Sequence, residues 1–180
     1  GSELCIRDRA IPAWRFQYGL PNLVALSVNE DFLQGSDLPI NAAFSNEGDA
    51  ASGPFELQIR VAQFQPDGAR PNRNVNAANE TDEVLMTDGR ILTISQLPGS
   101  PGARDATGVF GIMLAGGLRQ DLTNSHAGLA AGQMDSWHPI VTLPLASSPL
   151  VVGYVLMLDP DNLVQETNED DNTDFDRGNF

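Results

Sequence analysis

"INAAFSNEGDAASGPFELQI", residues 40 to 59, holds two β-rich runs around a middle made of turn residues. The runs are DLPINAAFSNEG and PFELQIRVAQF, and in the second Phe55, Leu57, Ile59, Val61 and Gln63 fall on one face of a period-two pattern. The middle, NEGDAASGP, concentrates Asn, Gly, Asp, Ser and Pro, which set turn backbones and oppose a helix. Two strands joined by a turn are the reading, and the neighbouring sequence extends it.

Upstream, NLVALSV after Pro21 alternates in the same way. Downstream, LAAGQMDSWHPIVTLPL places Gly132 before a strand expected from Ser136 to Leu143, and SPLVVGYVLMLDP is the most apolar run and so a central strand. Strands spaced by turn signals, with little amphipathic helix, predict an all-β sandwich of about seven core strands. Residues 65–128 interrupt the spacing. Their Asn- and Pro-rich start reads as an exposed loop, EVLM and RILTISQL around TDG as a small hairpin, and GVFGIMLAGGL as either strand or short buried helix. Residues 1–20 read as a linker or an edge segment: Gly1-Ser2 looks like a tag remnant, while Trp14, Phe16 and Tyr18 alternate as an edge strand would. Residues 21–180 are then one domain carrying the insertion 65–128.

The chain carries 24 acidic residues against 10 basic ones, a formal charge of −14, and all ten are arginine. Such a surface repels phosphate backbones and anionic membranes, so neither nucleic acid nor membrane insertion is expected, and no apolar run reaches the length of a span. Without lysine there is no Schiff base, no P-loop lysine and no Lys-Asn cross-link. Cys5 is the single cysteine, which excludes an internal disulfide and a thiolate metal site. The two histidines, His126 and His138, form no HExxH or HxH pattern, and Ser125 beside His126 lacks a GxSxG elbow. LAGGL and GSPG have no strand-loop-helix context, and no two carboxylates stand apart from the acidic crowd, so catalysis is not expected.

PNLVALSV, INAAFSNEGDAASGPFELQI, LAAGQ and VVGYVLMLDPDNLVQETNEDDNT resemble, in order and character, the CARDB domain, the cell-adhesion-related domain found in bacteria. The resemblance covers residues 21–64 and 129–175. It implies an immunoglobulin-like β-sandwich that serves as a spacer, adhesion unit or accessory in a larger secreted or surface-attached bacterial protein. Two departures stand out: the 64 residues ahead of LAAGQ, and the short tail after NEDDNT, which leaves little for a last strand. An open edge left there would be closed by residues 2–20 or by a neighbouring subunit, giving self-association through an edge strand.

The stretch DPDNLVQETNEDDNTDFD, residues 159 to 176, gathers eight carboxylates in eighteen positions. Three readings compete. In the first, Asp159-Pro160 opens a turn and Glu166 and Glu169 accept hydrogen bonds from backbone amides or Arg side chains. In the second, Asp159, Asp161, Asn162, Glu166 and Glu169 bind Ca²⁺, although the spacing is not that of an EF-hand. In the third they are a solvated acidic edge. A separate binding reading puts Trp137, Trp14 and Tyr18 on an aromatic platform for glycans, with the insertion supplying specificity. The expected function is a non-catalytic adhesion or spacer module whose partners are other domains or neighbouring surface proteins. The alternative is a carbohydrate- or protein-binding accessory domain.

Overall fold

The computed structural model describes residues 19–65, 79–99, 107–144 and 150–180. Trp14, Phe16, Tyr18, Cys5 and the proposed N-terminal edge strand lie outside the described residues. Two antiparallel sheets form a sandwich. The first contains β1 (Leu23–Glu30), β2 (Asp37–Asn46), β8 (Met134–Trp137) and β9 (Ile140–Thr142), with β2 between β1 on one side and β8 and β9 on the other. The second has the order β11 (Thr173–Asn179), β10 (Val151–Leu158), β3 (Phe55–Phe64), β7 (Arg119–His126). β8 and β9 act as one strand broken at His138-Pro139, so the sandwich has seven strand positions in the alternating order of an immunoglobulin-like fold.

Leu38, Ile40, Ala42 and Phe44 of β2 face Leu57, Ile59 and Val61 of β3 and Val152, Tyr154 and Leu156 of β10 across the core. In β1 the register shifts between Ala25 and Ser27. That bulge lets both Leu23 and Val28 reach the core although five positions separate them, which strict alternation would forbid.

The insertion forms a third layer. β4 (Glu83–Met86) pairs with β5 (Ile91–Thr93) and with β6 (Val109–Ile112), and this small sheet lies on the outer face of the second sheet. Leu85, Phe110 and Met113 pack there on Ala62, Phe64, Val151, Val155 and Met157. β10 is consequently buried on both faces along its whole length. Gly153 makes the close approach possible: a Cβ there would stand 1.9 Å from Phe110 Cε1 and 2.4 Å from Phe64 Cε2. Arg60 fixes the tip of the β4-β5 hairpin, forking onto Asp121 at 2.8 Å through both Nε and Nη2 and donating from Nη1 to the Gly89 carbonyl. Arg119 pairs with Glu83 on the same side.

Three expectations need correction. The excursion ends at Leu118 and not at Gly128, because Arg119 to His126 is β7, a sandwich strand paired with β3 along its whole length. β7 is an edge strand of mostly exposed polar residues, so it carries no apolar alternation to read. The tail after NEDDNT is a complete seven-residue strand, β11, paired from Thr173 to Asn179 with β10. The strand expected from Ser136 to Leu143 is two, since Pro139 interrupts it. Among the described residues no helix is long and apolar enough to cross a membrane.

Candidate functional site: the acidic crossover

Among the described residues β1 is the outer strand of its sheet, and alternate amides point away from β2 with no described strand to receive them. The crossover between β10 and β11 receives them instead. Glu166 Oε2 accepts from the Leu23 amide, the Asp171 carbonyl accepts from the Ala25 amide at 3.0 Å, and Asp174 Oδ2 accepts from the Val28 amide at 2.8 Å. The bulge accounts for the step from Ala25 to Val28, because it moves the outward amides by one residue. Residue numbers rise together on the two sides, so the start of the domain and its last strand run parallel and are stitched along their length.

The crossover holds its own shape by the same chemistry. Asp159 takes a positive φ of 45° and its Oδ2 accepts from the Val164 amide at 2.6 Å, while the Asp159 amide donates to the Glu56 carbonyl at 2.8 Å. Glu169 Oε1 accepts from the Glu166 amide at 3.0 Å, and Asn172 Nδ2 donates to Glu166 Oε1 at 2.9 Å. Thr167 donates its amide to the Pro21 carbonyl at 3.0 Å and its hydroxyl to Asn22 Oδ1 at 2.8 Å.

Asn22 links the crossover to the turn of residues 46–53. Its Nδ2 donates to Asp171 Oδ2 at 3.1 Å, and its amide donates to Asn46 Oδ1 at 3.0 Å. Fully buried Asn46 uses its whole amide: Oδ1 also accepts from Gly48, and Nδ2 donates to the Ala50 and Leu129 carbonyls at 2.7 and 3.1 Å. A buried primary amide with every donor committed fixes a single arrangement, since any other leaves a polar group unpaired.

Electrostatics follow from burial. Loss of water pushes the Glu166 carboxyl above its ordinary value, against the amides of Leu23 and Asn172, with Glu169 and Asp159 adding to the push. Asp174 is raised for the same first reason, opposed by the Val28 and Phe175 amides.

The five residues considered for Ca²⁺ divide accordingly. Asp159 and Glu166 turn inward and are committed to amides, Glu169 is exposed but holds the Glu166 amide, and Asp161 and Asn162 stand in solvent. Asp159, Asn162 and Glu169 line one shallow crevice together with Asp88 and Asn172. Among the described residues no group of three or more His, Cys, Asp or Glu side chains is arranged to hold a metal ion. The first of the three readings, carboxylates as acceptors for the backbone, is the arrangement in place. Asn22, Asp171 and Asp174 were missed as participants. They act on residues more than a hundred positions away, for which a local pattern gives no signal.

Of the aromatic candidates only Trp137 falls within the described residues, and both histidines do. Trp137 is half-buried against the sandwich core, and Trp14 and Tyr18 lie outside the described residues. His126 Nδ1 accepts from the Gly128 amide at 3.0 Å and Nε2 sits 3.0 Å from Asp135 Oδ2, the bond that first of all holds Asp135 below the ordinary carboxylate range. Its ring lies 4.9 Å from Phe55 and 5.5 Å from Phe44. His138 is held between Asn41 and Ser136. Ser125 and His126 are consecutive on β7, so their side chains leave opposite faces.

No protein-family model matches the chain, and no curated protein does. Among solved structures it is similar to the CARDB domain of the PF1109 protein from Pyrococcus furiosus, a structure in complex with di-metal ions. That likeness has 9% identity and a TM-score of 0.48, over 89% of this chain and 93% of the other. It is also similar to Spo0M, a sporulation control protein of Bacillus subtilis, at 12% identity and a TM-score of 0.30, over 90% of this chain and 48% of that one. A third is AvmM, which catalyzes macrocyclization in alchivemycin A biosynthesis, at 10% identity and a TM-score of 0.35, over 89% and 87%.

Proposed function

We propose that this chain is a non-catalytic spacer module of a larger secreted or surface-attached bacterial protein, built to transmit tension along its long axis. The observation that carries this reading is the parallel stitching of β1 to the crossover and β11. The described chain starts beside Asp49 at one end of the sandwich, where the Asp49 amide meets the Leu20 carbonyl, and Phe180 lies beside Phe32 and Leu33 at the other. Those ends are separated by the length of β1, roughly 25 Å. Tension applied across them loads the bonds at Leu23, Ala25 and Val28 in shear, all together and not one after another. Adhesion is the role of the assembly in this reading, and the module supplies length and resistance. Asp159, Glu166 and Glu169, the carboxylates considered for calcium that do not stand free in solvent, each accept from a backbone amide, which supports a clamp made of hydrogen bonds.

Single-molecule pulling from the two ends tests it. The double variant Glu166→Gln with Asp174→Asn should unfold at clearly lower force than the parent, while a control change at exposed Asp161 leaves the force unchanged. Equal unfolding forces for parent and double variant would remove the tension role. A thermal midpoint that rises with Ca²⁺ but not with Mg²⁺ would instead restore the calcium reading.

A further inference from the structure

We propose that the pole of the sandwich formed by the β1–β2 turn and the end of β11 is a docking groove for a partner segment that carries a bulky apolar side chain flanked by arginine or lysine. Glu30, Asp31, Phe32, Leu33 and Phe180 line it. Phe32 is 87% exposed and Leu33 41%, which makes this the most exposed aromatic among the described residues. Single exposed apolar residues are ordinary on a protein surface, but here an aromatic, an aliphatic and a second aromatic residue share one concavity.

The tip is held rather than loose. Gln34 and Asp37 exchange backbone bonds in both directions, at 2.8 and 3.1 Å, and Asp31 Oδ1 accepts from the Phe32 amide at 2.7 Å. A side chain presented on a fixed turn loses little freedom on binding, as an anchor requires. The Tyr154 hydroxyl is buried beside the Gly178 backbone. A Cβ built on Gly178 would come within 2.5 Å of that hydroxyl and 2.4 Å of Phe180 Cζ, so the Phe180 ring covers it.

Charge selects the occupant. Apolar floor and acidic rim together fit an apolar anchor with cationic flanks. A second copy of this chain fits poorly, because two molecules of charge −14 repel.

The test uses the whole chain and a fluorescein-labelled, end-blocked peptide Arg-Leu-Phe-Arg, with Arg-Ala-Ala-Arg and Glu-Leu-Phe-Glu as controls, read by anisotropy at low ionic strength. Saturable binding of the first peptide alone is expected, weakened about tenfold or more by Phe32→Ala and by Glu30→Gln with Asp31→Asn. Phe32 is exposed enough that its loss leaves the fold intact, which circular dichroism verifies. Three results overturn the proposal. One is no saturable binding, and another is equal binding of Arg-Ala-Ala-Arg with no effect of Phe32→Ala, which would be general attraction to an acidic chain. The third is self-association in sedimentation that Phe32→Ala abolishes, which would give the groove to a second copy.

Discussion

The outer face of the second sheet and the outer edge of β1 are both surfaces that a bare sandwich leaves open, and the chain closes them by opposite chemistry. The face is apolar, so it is covered by another sheet: Phe110, Leu85 and Met113 of the insertion lie on Phe64, Val151 and Val155. The edge is a row of amides, so it is covered by acceptors: Glu166, the Asp171 carbonyl and Asp174. Area closes a face, and correctly spaced oxygen atoms close an edge. Part of the acidic density of residues 159 to 176 therefore has a structural cause, since two of its carboxyls, Glu166 and Asp174, supply acceptors at the spacing of the β1 amides.

The face should be the costlier of the two to break. Phe110 is fully buried over Gly153, with its ring centroid 5.1 Å from that of Phe64 and 5.4 Å from that of Phe175. Phe110→Ala should cost about 3–5 kcal/mol in urea unfolding, because truncation leaves a cavity between two sheets that cannot collapse onto it. A loss below about 1 kcal/mol would show that the insertion is an appendage and not a layer.

Breaking the edge comes next. Glu166→Ala leaves the Leu23 amide and the Asn172 side-chain amide without acceptors, in a site where Glu166 itself is 7% exposed. The expected cost is about 2–3 kcal/mol, the penalty for orphaned buried donors. Amide hydrogen exchange sharpens the comparison: protection should fall at Leu23 after Glu166→Ala and at Val28 after Asp174→Ala, with β10 protected in both. Uniform loss along the whole domain would mean that the edge is not a separable element.

The difference between face and edge also explains what could be read from the sequence. Runs with one buried face declare themselves by period two, as β2 and β3 do, while β10, buried on both faces, stands out as the longest apolar run, and the β4-β5 hairpin is marked by TDG. β7 and β11 do not, because RQDLTNSH and TDFDRGN are edge strands whose pairing is specified by the neighbour. GVFGIMLAGGL was ambiguous because β6 is covered on both sides, by the second sheet and by the Ile94–Leu97 cluster, so neither period survives. At the crossover the residue types were legible as acceptors, Asp159, Glu166 and Glu169 among them. The donors were not, since Leu23 and Val28 contribute only backbone, which carries no sequence signature.

The smallest effect distinguishes two kinds of acceptor. A carboxyl whose pKa is higher in the folded chain than in the unfolded one takes up a proton on folding. Its stabilisation is complete below the unfolded value and fades as pH rises through the folded one. Glu166 and Asp174 are both raised by burial, so both follow that sign. Glu166→Gln removes the proton-linked part, and its cost should therefore be greatest in acid and shrink toward neutral pH. Thermal midpoints of parent and variant at about pH 4 and about pH 8 give the comparison. A cost that grows with pH would mean that the amides of Leu23 and Asn172 hold the ionised carboxylate more strongly than burial penalises it. The edge would then be closed by charge and should weaken in acid, whereas a cost that shrinks makes it an edge closed by shape and hydrogen bonding, which mild acid strengthens.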